Sequence, residues 1–191
     1  MERGKLILVT GGARSGKSSF AEKLAKETNK DVTYVATSQA LDEEMTLRIE
    51  EHKKRRPRNW KTIEEPLNAS SVIEKEGKAD RVILLDCLAL LVANLIFSKG
   101  DSTSELIDQA VLNEIKTLAK ISKDVQASVI IVTNEVGMGI VPEYPLGRAY
   151  RDTLGKANQI LASEADEVYL LICGIPVNVK QLQAITKKNG M

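Results

Sequence analysis

Apolar runs rich in β-branched residues recur along this chain at Lys5–Thr10, Val32–Ala36, Arg81–Asp86, Ser128–Thr133 and Glu167–Ile172. Continuous runs of this kind read as strands covered on both faces, the pattern of a parallel sheet. Between them the spacing turns helical, over Lys17–Lys26, Asp42–Lys54, Leu67–Lys75, Leu88–Phe97, Ser104–Lys123 and Leu146–Ala162. Strand and helix in alternation predict an α/β fold with a mostly parallel central sheet flanked by helices. After the last run come Cys173-Gly174 and Ile175-Pro-Val-Asn-Val179, which predict a hairpin that lays an antiparallel strand on the sheet edge, where Pro176 is tolerated. Ser98–Thr103 reads as a surface connection and Thr186–Met191 as a frayed end.

The first run leads directly into Gly11-Gly-Ala-Arg-Ser-Gly16-Lys17-Ser18. Strand, then Gly-x-x-x-x-Gly-Lys-Ser, then helix is the setting in which backbone N–H groups turn inward on a phosphate at a helix N-terminus. The pattern assigns Lys17 to the β- and γ-phosphates of a nucleoside triphosphate and the Ser18 hydroxyl to Mg²⁺. The fold is thus expected to be P-loop NTPase-like.

Composition narrows the partners. A chain of 191 residues suits one domain over 1–191, and Lys+Arg 27 against Asp+Glu 26 leave a net charge of +1. So even a balance offers no global attraction to nucleic acid or to an anionic membrane. Neither a signal-peptide pattern nor an apolar run near the roughly 20 residues of a membrane span is visible, and a cytoplasmic location is expected. Cys87 and Cys173 lie far apart in apolar segments and read as two reduced, packed thiols. One histidine without a cysteine cluster argues against structural zinc.

In open α/β sheets ligands gather at the carboxyl ends of the strands. The residues placed there are the glycine-rich loop, Thr37-Ser38-Gln39, Asp86 and Asn134-Glu135. Asp86 suits either a strand-terminal acid holding Mg²⁺ or a cap for the helix that starts at Leu88; Glu135 is a rival for metal or general-base duty. The lone His52 sits in an amphipathic stretch that stops at Pro57, with Arg48 four residues before it and Arg55 and Arg56 three and four after. Met45, Ile49 and His52 would share a face. Taken alone, a histidine in a basic last turn reads first as an ordinary solvated residue that suits the helix dipole, and only second as a nucleophile beside cations that hold a triphosphate.

Several segments together resemble one family. They are Thr10-Gly-Gly-Ala-Arg-Ser-Gly-Lys-Ser18, Tyr34-Val-Ala-Thr-Ser-Gln39, Arg48-Ile49 with His52 and Arg56-Pro57, Thr133-Asn-Glu-Val-Gly-Met-Gly-Ile-Val-Pro142, Arg148, Arg151-Asp152, Gly155 and Asn158-Gln159. The chain is similar to the bifunctional adenosylcobinamide kinase/adenosylcobinamide-phosphate guanylyltransferases of cobalamin synthesis. That resemblance implies phosphorylation of adenosylcobinamide by ATP or GTP, then transfer of GMP from GTP to adenosylcobinamide phosphate through a covalent GMP-histidine at His52. It implies nucleotide contacts from Gly11, Gly12, Ala13, Arg14, Ser15, Gly16, Lys17, Ser18 and Ser19, from Ala36, Thr37 and Ser38, from Lys53, Lys54, Arg55 and Arg56, and from Glu64 and Asp86. Ser18 and Asp86 are the implied Mg²⁺ ligands, and His52 and Lys17 the catalytic pair. Members tend to form trimers, and the apolar tip Met138, Ile140 and Val141 of the loop from Asn134 to Pro142 suits either a subunit or a corrinoid contact. Sequence leaves open the phosphoryl donor, whether both reactions share one pocket, and which ring nitrogen of His52 reacts.

Overall fold

Apolar strands without polar alternation need cover on both faces, and the fold supplies it. The computed structural model describes residues 3–39, 43–100 and 103–188, with the side chains at 44, 45, 48, 55, 104 and 184–188 outside that description. Along the chain run β1 (Leu6–Gly11), α1 (Lys17–Glu27), β2 (Asp31–Ala36), α2 (Glu43–Arg55), β3 (Lys61–Glu64), α3 (Ala69–Glu76) and β4 (Arg81–Asp86). These are followed by α4 (Leu88–Ser98), α5 (Ser104–Asp124), β5 (Ser128–Val132), α6 (Pro145–Glu164), β6 (Glu167–Ile172), β7 (Ile175–Asn178) and α7 (Val179–Lys188). The strands form a seven-stranded sheet in the order β3-β2-β4-β5-β1-β6-β7. Neighbours are parallel except β6 and β7, the hairpin expected at the edge.

Successive side chains of a strand point to opposite faces, so each central strand feeds two cores. Leu8, Val35, Ile83, Leu85, Val129 and Ile131 pack beneath α3, α4, α5 and α6. Val9, Tyr34, Leu84, Ile130 and Val132 pack on the other face, with Ala21 and Ala25 of α1. Each such side chain stabilises the fold by about 1.5–3 kcal/mol. Because β1 lies between β5 and β6 while the chain crosses from it to β2, the carboxyl ends of β1, β2, β4 and β5 converge.

The differences from expectation have local causes. The strand β3, absent from the sequence reading, is an edge of four residues with one partly buried apolar side chain, Ile63, so it carries no apolar run. The helix α7 replaces the frayed end as far as Lys188, and residues 189–191 lie outside the description. Cys173, expected to be packed, is exposed in the β6–β7 turn at a φ of 51°, because a hairpin this tight turns its corner into solvent. The cap of α4 is Cys87 and not Asp86, whose side chain is engaged elsewhere. The expected start of α2 at Asp42 lies outside the described residues, as do the side chains of Met45, Arg48 and Arg55.

Candidate active site

The glycine-rich loop leaves β1 at Gly11, whose φ of +153° is in glycine territory and where a Cβ would stand 2.6 Å from the Leu171 carbonyl oxygen on β6. It re-enters a helix at Gly16, the left-handed N-cap of α1 with φ 93°. The Gly174 N–H of the hairpin turn donates to the Ser15 carbonyl at 3.0 Å, so the β6–β7 turn braces the loop from outside. Inside it, the Lys17 ammonium donates to the Gly12 carbonyl at 2.8 Å. Lys17 is buried, and desolvation lowers its pKa, against the opposing influence of Cys87 and Asp86. Ala13, Arg14 and Ser19 are exposed, and Ser15 and Ser18 half-buried.

Next to this loop the ends of β2 and β4 are stitched together. The Thr37 hydroxyl donates to the Cys87 carbonyl at 2.7 Å and accepts the Cys87 N–H at 2.9 Å. Asn94 Nδ2 donates to the carbonyls of Thr37 and Pro66 at 2.8 and 3.1 Å. Thr37 is fully buried, so its side chain is a staple between strands, and the polar groups left to face a ligand after β2 are Ser38 and the backbone. Asp86 Oδ2 accepts the Tyr34 hydroxyl at 3.0 Å. Burial above all, then the Asp86 charge, holds that phenol far above its ordinary value, which keeps it a donor. Burial also pushes the Cys87 thiol up to about 12.

A cleft of about 380 Å³ opens beyond α2, lined by Lys53, Arg56, Pro57, Arg58, Trp60, Thr62 and Glu64. Its walls are the basic end of α2 and the edge strand β3. Lys53 Nζ pairs with Glu64 Oε1 at 2.7 Å, and this bond, followed by the charge itself, draws the Glu64 carboxyl below its usual range. The Arg56 guanidinium lies 3.6 Å from the centre of the Tyr34 ring, and Lys26 Nζ 5.9 Å from that of Trp60. His52 is half-buried on α2, one turn before Arg56, and Lys54 is exposed.

The structure therefore brings the expected residues into two groups. Lys17 shares its electrostatic surroundings with Asp86 and Cys87, whereas Lys53, Arg56 and Glu64 meet in the cleft. The Glu135 N–H donates to the Gly11 carbonyl at 3.0 Å, and its Oε1 accepts the Gly137 N–H at 2.6 Å, so the carboxylate folds into its own loop. Farther along, the Arg148 guanidinium donates to the carbonyls of Pro142 and Glu143 at 3.1 and 2.6 Å, fixing the loop's base while Met138 and Ile140 stand 83% and 95% exposed. Asn158 closes the loop's other end, accepting the Thr133 hydroxyl at 2.7 Å and donating to the Asn134 carbonyl at 3.0 Å.

Sequence reasoning passed over Tyr34, Trp60 and Asn94 as site residues. Tyr34 stands in an apolar strand and looks like core; Asn94 interrupts an otherwise apolar helix, and Trp60 is the chain's single tryptophan beside a basic run, signals that were available.

A lysine folded over a glycine-rich loop at the carboxyl edge of a parallel sheet, with an acid at the end of β4 two strands away, defines a P-loop α/β nucleotide-binding protein. The sequence model described as cobinamide kinase / cobinamide phosphate guanyltransferase, CobU, matches residues 7–179. The bifunctional adenosylcobalamin biosynthesis protein CobU of Escherichia coli (strain K12) is 44% identical over 181 residues, spanning 92% of this chain and 99% of its own. The bifunctional adenosylcobalamin biosynthesis protein CobP of Pseudomonas aeruginosa (strain PAO1) is 39% identical over 173 residues, spanning 91% and 96%. The chain belongs to the cobinamide kinase/cobinamide phosphate guanyltransferase family, and is accordingly a transferase of cobalamin biosynthesis with kinase and nucleotidyltransferase function. A solved structure of the RadB recombinase aligns with a TM-score of 0.48 at 15% identity, covering 88% of this chain and 74% of that one. Among the described residues, no helix is long and apolar enough to cross a membrane, and no group of three or more His, Cys, Asp or Glu side chains is placed to hold a metal.

Proposed function

We propose that the protein phosphorylates the aminopropanol hydroxyl of adenosylcobinamide with ATP or GTP, and then transfers GMP from GTP to the resulting phosphate through His52. The observation that carries the two-step reading is the presence of two separate sets of cations. Lys17 lies in the phosphate loop, and Lys53, Arg56 and Arg58 surround a cleft directly after His52.

In the first step the loop N–H groups and Lys17 neutralise the charge that spreads over the transferred γ-phosphoryl group. Ser18 and Asp86, a hydroxyl and a single carboxylate, fit a Mg²⁺ ion that keeps most of its shell from water and phosphate. When bound, the ion would supply charge neutralisation to the triphosphate. Lys17 leaves the Gly12 carbonyl for a phosphate oxygen, a stronger partner for a partly desolvated ammonium.

In the second step a ring nitrogen of His52 donates its lone pair to the α-phosphorus of GTP. The N–P bond forms, the α–β bridge breaks, and pyrophosphate departs with the electron pair. A phosphate oxygen of adenosylcobinamide phosphate then attacks the same phosphorus; the N–P bond breaks and adenosylcobinamide-GDP leaves with His52 restored. Splitting the displacement in two means that the corrinoid need not be present when GTP is cleaved. The cations of the cleft suit the triphosphate, and Glu64, a carboxylate at its edge, suits the ring N–H and amino donors of guanine. The exposed tip at Met138, Ile140 and Val141 suits the corrinoid or a neighbouring subunit of a trimer, since apolar side chains at such exposure favour a partner.

The test is labelling with GTP carrying a tracer at the α-phosphate. Wild type acquires an acid-labile, alkali-stable protein-bound label that a chase with adenosylcobinamide phosphate removes; His52→Ala acquires none. A wild type that stays unlabelled in Mg²⁺ leaves the covalent half of the proposal without support. Kinase activity of Lys17→Ala at the wild-type rate would remove the other half.

A further inference from the structure

We propose that Tyr34 is a positioning residue that ties Asp86, the acid beside the phosphate loop, to Arg56, one of the cations of the nucleotide cleft; this rests on the nucleotide site proposed above. Tyr34 is among the largest fully buried side chains of the protein and stands in β2, paired with Thr62 of β3 on one side and Leu84 of β4 on the other. One side chain thereby serves both groups. Its hydroxyl donates to Asp86 Oδ2 at 3.0 Å, and its ring face receives the Arg56 guanidinium at 3.6 Å.

Each contact leaves its partner prepared for a ligand. A carboxylate with one oxygen engaged presents the other in a fixed direction. A guanidinium held by its face keeps its edge donors for another acceptor, and Arg56 Nε and Nη1 are both buried without a hydrogen-bond partner. Unpaired buried donors disfavour the empty site and so favour an anion that reaches them. On the α1 side, Glu22 Oε1 is likewise buried without a hydrogen-bond partner and acts electrostatically on Tyr34, so charged groups of both signs surround this one ring. Packing alone explains none of this, since phenylalanine would fill the same volume without a hydroxyl to satisfy. The consequence is that Tyr34 links how the metal-side acid is set to how firmly the cleft holds a nucleotide.

The experiment follows GTP binding by the fluorescence of Trp60, the single tryptophan, first in EDTA and then along a Mg²⁺ series. Wild type is compared with Tyr34→Phe and Tyr34→Leu, and equilibrium dialysis with labelled GTP serves as the second readout. Tyr34→Phe keeps the ring, so its affinity in EDTA matches wild type, while loss of the hydrogen bond to a charged group raises the Mg²⁺ midpoint about fivefold. Tyr34→Leu also loses the ring and weakens binding in EDTA about tenfold. An unshifted Mg²⁺ midpoint in Tyr34→Phe overturns the proposal by itself, whatever its melting temperature and whether or not Tyr34→Leu folds. Weaker binding in EDTA by Tyr34→Phe overturns it too, because the damage would then be general. If wild type binds no GTP, the nucleotide site falls and this inference with it; if wild type binds and Tyr34→Phe behaves identically, only the tie is lost.

Discussion

At the scale of single residues, position in the fold separates groups that look alike in the sequence. Cys87 and Cys173 each follow an apolar strand, yet one residue is half-buried between strand ends, its thiol pushed up to about 12 by desolvation, while the other is exposed at a hairpin corner. Thiolate is the reactive form, so thiol titration of the native protein should give one fast equivalent and a second only on unfolding. Cys173→Ser should abolish the fast phase, and a fast phase that survives the substitution would show Cys87 to be accessible. The same contrast separates Thr37 from Ser38. Both were legible as residues after β2, but only the structure spends the Thr37 hydroxyl on the Cys87 backbone, leaving Ser38 half-buried beside it.

At the scale of elements, the phosphate loop is local and its surroundings are not. Gly11, Gly16 and Lys17 sit within one strand-loop-helix unit, and their spacing alone predicts their roles. The ends of β2 and β4 have to be joined across about fifty residues of chain, and two hydrogen bonds of Thr37 do much of that joining. Thr37→Val keeps the shape and leaves the Cys87 N–H unpaired, so urea unfolding should show a loss of about 1–3 kcal/mol, with an m-value that does not change. If both proposed reactions use this edge of the sheet, kinase and guanylyl-transfer rates should fall together. The helix α7 was legible in principle, through Val179, Leu182 and Ile185 at helical spacing. The strand β3 was not, because an edge strand needs neither an apolar run nor alternation to hold one row of hydrogen bonds.

For the whole molecule, the cleft depends on how the β3 edge is fastened. Glu76 on α3 accepts Lys61 Nζ of β3 at 2.6 Å, pairs with Arg81 of β4 and accepts the Thr33 hydroxyl of β2 at 3.4 Å. Its carboxyl is drawn below the ordinary value, first by the Lys61 hydrogen bond and then by charge, against desolvation. A depressed carboxyl contributes stability above its unfolded pKa and loses it as pH falls through the folded one. Glu76→Gln should therefore destabilise by about 1–2 kcal/mol at neutral pH, and the gap to wild type should close as pH falls below the ordinary value of 4.5. A gap that stays constant through acid would show that the ionised form contributes nothing. By itself, the sequence determined the βαβ rhythm, the phosphate loop, the antiparallel edge and, through resemblance, the family, because each of these is written in periods or motifs a few residues long. Only the tertiary structure decided that Asp86 meets Tyr34 and not the start of α4, that Thr37 turns inward, and that Arg56, Trp60 and Glu64 enclose one cleft. Such contacts join residues distant in the chain, and their geometry is fixed by strand order and register, which neighbouring residues do not encode.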